Sequence, residues 1–379
     1  MMKKYSRNKF VNRPLIAAIL VLLLPLWTQA DQRFDVNLRI DDESAVRSID
    51  LFRGLSGSSS QIAGLRGSQI ALETTALLEG KKLSTQDLEE ALQAAKFNQL
   101  SGDDPFEMQD ARRNVTELQE LMEAVKQRSF ASKVVHTVSQ LFPEDTNIRT
   151  SIPLYFVAFG HQNIDAFVRR VKWQGDRPIF VGENEGELTI VVNLSKAVHY
   201  GRTLDARFIG LLSVVAHEVF HAAFGVYKDG SETWRAYYRS KSDYLDHLLD
   251  LTQNEGIAHY LSLIQRTGGK LQNDQIAKVQ ASFDEFNKTA SLLNSGRISP
   301  QKAGEMIRHS NSSGYWESFG AITGMIIARQ IDQSMGRLAL LETVEQGPGD
   351  FFGKYSALMK KDDGLPKLSD LLVNRFPPD

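Results

Sequence analysis

The sequence predicts an α+β fold that is predominantly helical, with one small antiparallel sheet set ahead of a long apolar helix. Three observations predict it. Apolar residues recur at helical spacing through most of 31–150, and helical patterning returns after Asn193 almost to the end. Between these regions, 151–193 holds short aromatic and β-branched runs bounded by Gly and Asn. The segment 206–224 is strongly apolar and long enough only for a helix.

At the start, residues 1–30 have the layout of a secretory signal. Lys3, Lys4, Arg7, Lys9 and Arg13 precede an apolar stretch over 15–27, and Thr28-Gln29-Ala30 offers a small-residue cleavage site. The stretch is broken by Pro25 and falls short of the roughly 20 residues that span a bilayer. Export to a periplasm or the medium is therefore expected, rather than a membrane anchor. No later segment reads as apolar for long enough to span, so no stable membrane insertion is expected after cleavage.

The first thirty residues hold five basic and no acidic side chains, which leaves 39 basic against 46 acidic from Asp31 onward, a net charge of −7. That balance gives no support to nucleic acid or an anionic membrane surface as a partner. Cysteine is absent. An exported chain of this size then rests on its hydrophobic core, and any metal must be held by His, Glu or Asp. The length suits one large domain or two closely packed ones.

Residues 31–150 read as a helical N-terminal region. Ser84 precedes an apolar-periodic run through Leu88, Leu92 and Ala95, with Asp87 three residues on, as a helix N-terminus prefers. Further helices are expected over 115–125 and 131–141, the latter closed by Pro143 and a polar link over 144–150. No chemical motif stands out there. Residues 151–379 form the second region, opening with the sheet over 151–193. Pro153-Leu154-Tyr155-Phe156-Val157-Ala158-Phe159 reads as a buried strand, and 178–181 and 188–192 as two more. Gly182, Asn184 and Gly186 mark a turn between the last two, hence an antiparallel arrangement. Asn193 is expected to turn the chain into the helices that follow. Near the end, Gly347-Pro348-Gly349 marks a corner, with Phe351 and Phe352 in the core.

The chemistry lies in His217-Glu218-Val219-Phe220-His221. His217 and His221, four apart on a helix, share one face and can reach one cation. A catalytic Zn²⁺ takes three protein ligands and keeps a fourth position for water. Glu218, about 100° around the helix from His217, can miss the metal and reach that water as a general base. Val214, Val215, Ala216, Val219, Phe220, Ala222 and Ala223 are all uncharged, which fits a buried metal helix.

A third ligand must come from elsewhere. The metzincin continuation is missing, with Phe224 in place of its glycine and Tyr227 in place of its third histidine. A second helical segment over 242–263 carries Asn254-Glu255-Gly256, and Glu255 follows His221 by 34 positions, enough for a return helix. Gly256 costs about 1 kcal/mol relative to Ala inside a helix, which makes sense if these two helices approach closely there. Asp246 and Asp250 compete as third ligand. His259 shares the Glu255 face, either orienting the carboxylate, replacing it as a ligand, or simply lying half-buried.

These two helices resemble the gluzincins, the thermolysin-like clan of zinc peptidases, which bind metal through H-E-x-x-H and a glutamate on a following helix. The wider run from the strands near Leu154 through Tyr355 resembles a poorly characterised family of zinc-dependent peptidases. The resemblance implies a zincin-like core, one catalytic zinc on His217, His221 and Glu255, Glu218 as general base, and a peptide or protein substrate. His259 stands where the clan has an aspartate, which leaves the outer partner of His217 unassigned. A donor to the developing oxyanion is implied from a later segment: Tyr315, followed by a helix bearing Gly320, Gly324 and Ala328, is the first choice and His309 the second. The strand 188–192 is implied as the sheet edge that pairs with substrate. The alternative from another class is an exported helical binding protein with a structural or vestigial zinc and no hydrolytic activity.

Overall fold

The computed structural model describes residues 34–376 apart from Ser56, Ser101, 183–184, 241–242 and 312–315. The expected signal over 1–30, the turn residue Asn184 and Tyr315 lie outside the described residues.

Five strands form one sheet in the order β1-β2-β5-β3-β4. These are β1 (Phe34–Asp41), β2 (Ile148–Val157), β3 (Ala166–Gln174), β4 (Arg177–Val181) and β5 (Glu187–Asn193). β2 is buried along most of its length, as its aromatic run requires. The sheet is mixed rather than wholly antiparallel: β1 and β5 flank β2 in parallel, and β3 is antiparallel to both β5 and β4. The parallel pairs arise because β1 enters from the far side of a helical excursion, and parallel neighbours need such crossovers.

The expected hairpin between 178–181 and 188–192 is replaced by another. The tight turn falls at Gly175 (φ 62°), joining β3 to β4, and β3 sits between β4 and β5. Consequently β5 has a strand on both sides and is not a sheet edge. β3 over 166–169 pairs with β5 on one side only, because β4 reaches just 170–174.

Between β1 and β2 run α1 (Glu43–Phe52), α2 (Ser59–Ala63), α3 (Arg66–Glu79), α4 (Thr85–Lys96), α5 (Met108–Arg113), α6 (Val115–Gln127) and α7 (Phe130–Ser139). Ser84 caps α4 in a reciprocal capping box with Asp87. After β5 come α8 (Leu194–Ala197), α9 (Leu204–Gly230), α10 (Glu232–Ser240), α11 (Tyr244–Thr267), α12 (Asn273–Asn294), α13 (Pro300–Asn311), α14 (Phe319–Met335), α15 (Arg337–Gln346), α16 (Pro348–Met359) and α17 (Asp370–Arg375). Asn193 caps α8, its Oδ1 accepting from the Ser195 amide at 3.1 Å, which is the turning role expected of it. Gly347 (φ 87°) makes the corner between α15 and α16, and Phe351 and Phe352 are fully buried. The described residues of 34–376 make a single compact unit.

α9 corrects one expectation: it runs for 27 residues and contains an 18-residue stretch with a mean hydropathy of 1.6, long and apolar enough to cross a membrane. Its apolar surface is instead spent on the protein interior, with Leu211, Val215, Ala216, Val219, Phe220 and Phe224 buried against the sheet and neighbouring helices. α11 lies antiparallel on it. Ser213 faces Ser262, His217 faces His259, His221 faces Asn254 and Lys228 faces Asp250. Gly256 does mark a close helix contact, but with α14 rather than α9. A Cβ at Gly256 would collide with the Gly324 backbone, and one at Gly324 with the Thr252 carbonyl.

Candidate metal centre

α9 and α11 are each fixed at their ends by local chemistry. The Thr203 hydroxyl accepts from the Ala206 amide at 3.2 Å to start α9, and Asp243 accepts from the Asp246 amide at 2.7 Å to start α11. Gly268 ends α11 in the left-handed region at φ 64°. The antiparallel register then brings His217 and His221 of α9 against Glu255 of α11.

The three side chains converge. His217 Nε2 lies 2.9 Å from His221 Nε2, and Glu255 Oε2 lies 3.6 Å and 3.3 Å from those two atoms. Ligands about 2.0–2.1 Å from a tetrahedral ion stand about 3.3 Å from one another, so one point can sit at bonding distance from all three. This is the one such group of three His or acidic side chains among the described residues. Three lone-pair atoms aimed at one point suit a cation; without one, two imidazoles and a carboxylate must share protons. Zinc, which favours N and O donors of this kind in the absence of cysteine, fits the set.

The charges agree. Burial would raise the Glu255 carboxyl, but His221 and His217 beside it outweigh this and hold it well below the usual carboxylate range. Burial likewise works to lower His221, and the Glu255 carboxylate overcomes it, raising that imidazole to about 9. Both shifts describe a carboxylate kept ionised inside the site. His221 Nδ1 donates to Asn254 Oδ1 at 3.0 Å, which turns Nε2 toward Glu255.

His259 stands outside this group of three. Its Nδ1 donates to the Glu255 backbone carbonyl at 2.9 Å and stands 3.8 Å from Glu255 Oε2, with its ring 4.9 Å from that of His217. Burial, helped by His217, lowers its pKa to about 3, so it is a neutral imidazole packed against the site. Asp246 and Asp250 are engaged elsewhere. Asp246 pairs with Arg375 at 2.5 Å, and Asp250 pairs with buried Lys228 at 2.5 Å and accepts from the Tyr238 hydroxyl at 2.9 Å. They face away because they sit nine and five residues before Glu255 on α11, not at three, four or seven.

An open cleft of about 660 Å³ leads to the three side chains. Glu218 lines it, and burial raises the Glu218 carboxyl above its ordinary value, against the opposing pull of His217 and His221. The other wall is β3 over 166–169, whose second edge has no strand partner among the described residues. His309 is not in the wall; it is exposed on α13, its ring against Phe319 at 5.9 Å. Asn311 and Ser318, on either side of the stretch that carries Tyr315, both line the cleft.

Among the wall residues that sequence reasoning missed, four are ionisable: Asp165, Arg169, Tyr200 and Arg266. Arg266 was within reach, since it follows Glu255 by eleven positions on the same helical face. Tyr200 and the β3 residues had no such signal, because only the tertiary fold brings them to α9.

A family model described as "Putative zinc dependent peptidase (DUF5700)" matches residues 61–364. No curated protein and no solved structure matches the chain.

Proposed function

The chain belongs to that family of zinc-dependent peptidases, and from this premise we propose that it is a gluzincin-type enzyme: one zinc held by His217, His221 and Glu255, with Glu218 as general base. The observation that carries the reading is the triangle of His217 Nε2, His221 Nε2 and Glu255 Oε2, whose edges of 2.9, 3.6 and 3.3 Å match three corners of a tetrahedral zinc site. Zinc bound there supplies Lewis acidity, which polarises a carbonyl and makes water a nucleophile at neutral pH.

The chain's own residues supply the rest. Glu218, its proton affinity raised by burial, takes the proton of the attacking water and returns it to the leaving amine. Asn254 and the His259 contact to the Glu255 carbonyl hold the site's orientation. The open edge of β3 over 166–169 can add an extended peptide as a further strand, a role that passes to β3 from the enclosed β5. Tyr315 is retained as oxyanion donor, in the stretch bounded by cleft-lining Asn311 and Ser318. A groove and a carboxylate beside the site favour hydrolysis over an inert zinc-holding protein, which needs neither. The secretory pattern of residues 1–30 supports action outside the cytoplasm, on peptides or proteins.

The test is cleavage of a diverse peptide mixture by the zinc-loaded protein beside Glu218→Gln. The variant should keep its zinc and lose about 10²–10⁴-fold in turnover, the usual contribution of a general base. Equal cleavage by both proteins would remove Glu218 from the mechanism.

A further inference from the structure

Along α11, Glu255, His259, Ser262 and Arg266 recur at intervals of four, three and four and form one stripe, all of it in the cleft wall. At 1.5 Å per residue, Arg266 stands about 16 Å along the axis from Glu255, a distance covered by about five residues of extended peptide. The cleft therefore runs from the metal ligands to Arg266, along the same pair of helices.

What gathers at that end is chemically specific. The Arg266 guanidinium lies over the Tyr200 ring, 5.3 Å from its centroid, and forms no ion pair with an Asp or Glu among the described residues. Tyr200 is seated there by Gly210 of α9, where a Cβ would press to 2.5 Å from the Tyr200 Cβ. Its hydroxyl is buried and makes no well-formed hydrogen bond among the described residues, with the Asp165 carboxylate the acceptor beside it, a state that a ligand oxygen would relieve. Burial, with Asp165 next to it, raises the Tyr200 pKa well above the ordinary value, so the hydroxyl keeps its proton to donate. On the facing strand, Arg169 is exposed and also makes no ion pair with an Asp or Glu among the described residues; its guanidinium lies 5.5 Å from the centroid of Phe167 and donates to the Val168 carbonyl at 3.0 Å. Asp165 is the one acidic residue lining the cleft away from the metal ligands and Glu218. With Glu255 and Glu218 facing a dication, the walls are left with more positive than negative charge.

We propose that the Arg266–Tyr200 end of the cleft is a carboxylate subsite, so that the substrates are peptides presenting a carboxylate several residues from the scissile bond. The guanidinium fork takes both oxygens and the tyrosine hydroxyl donates to one of them. The carboxylate can come from an acidic side chain or from the peptide's own C-terminus. A charge in the last turn of α11 also suits the helix dipole, but that role needs neither the Tyr200 hydroxyl nor the cleft. The proposal rests on the peptidase reading of the same site, and binding separates the two.

Fluorescent peptides of one neutral sequence, with Glu or Gln at successive positions and ending in a carboxylate or a carboxamide, are titrated by anisotropy into zinc-loaded Glu218→Gln protein. The same titrations are made with Arg266→Gln and Tyr200→Phe added, after circular dichroism shows both folded. A carboxylate peptide should bind about tenfold tighter than its amide counterpart, the scale of a charge-assisted contact. The ratio should fall to near one with Arg266→Gln and drop several-fold with Tyr200→Phe. The side-chain and C-terminal arms tell the two sources apart. Equal binding of acid and amide peptides overturns the subsite, as does a preference that survives Arg266→Gln, the outcome expected if the metal itself takes the carboxylate. Absence of turnover by the zinc-loaded parent protein, which keeps Glu218, with the binding ratio intact, overturns the peptidase reading and leaves the subsite standing.

Discussion

His221 Nδ1 donates to Asn254 Oδ1 at 3.0 Å, so the residue before Glu255 on α11 orients an imidazole on α9 that faces Glu255. Adjacent residues on one helix thus face the two ring nitrogens of one imidazole: Asn254 takes His221 Nδ1 and Glu255 faces His221 Nε2. Asn254→Ala should weaken zinc binding about 10–100-fold, the usual cost of losing an outer partner. Competition against a chelator of known affinity measures it, and an unchanged affinity would mean the bond does not orient the ring.

Gly256 and Gly324 let α11 and α14 meet backbone to backbone. Gly256→Ala gains helix propensity of about 1 kcal/mol, yet overpacking this backbone contact should cost about 2–3 kcal/mol, for a net loss of about 1–2 kcal/mol. A urea titration reads the change in midpoint. A stabilised Gly256→Ala protein would show that the helices are free to separate.

Lys228 and Asp250 are both nearly fully buried, and the ammonium also lies 4.4 Å from the centroids of Phe224 and Trp234. Removing one member of a buried pair strands the other, at about 3–5 kcal/mol. Asp250→Ala should therefore destabilise strongly while zinc stoichiometry stays at that of the parent, and Lys228→Met in the same chain should recover much of the loss. Loss of zinc from the folded Asp250→Ala protein would return Asp250 to the ligand set.

Ser84 and Asp87 cap α4 reciprocally, and the Ser84 hydroxyl and amide hold the Asp87 carboxyl below its ordinary 3.8. A depressed folded pKa contributes stability above the unfolded value and loses it as pH falls through the folded one. Ser84→Ala should cost about 1 kcal/mol near pH 7 and less near pH 3, when Asp87 is largely protonated in the unfolded chain. Denaturation at both values tests this; a cost independent of pH would mean the carboxylate takes no part.

The convergence of His217, His221 and Glu255 is the most legible feature of the chain because its signal is local. His217 and His221 are one helical turn apart, Glu255 lies on the next long apolar-periodic segment, and both helices formed close to where their pattern placed them. The sheet was less legible. β1 buries only Val36 and Leu38, so its alternation is short and sits in a helical neighbourhood. β3 reads Ala-Phe-Val-Arg-Arg-Val-Lys-Trp-Gln, and its three cations hid a strand with Phe167 and Val171 as its buried residues. With β3 unseen, β4 and β5 looked like neighbours. The Gly256 contact shows the same limit from another side: a helical glycine announces a close approach, but which helix approaches is decided by residues some seventy positions away.

The most direct measurement of the central claim is anomalous diffraction at the zinc edge from crystals of the zinc-loaded protein. A single peak is expected about 2.0–2.2 Å from His217 Nε2, His221 Nε2 and a Glu255 carboxylate oxygen. A peak at any other residues, or none at this site in protein that retains zinc, would contradict the assignment.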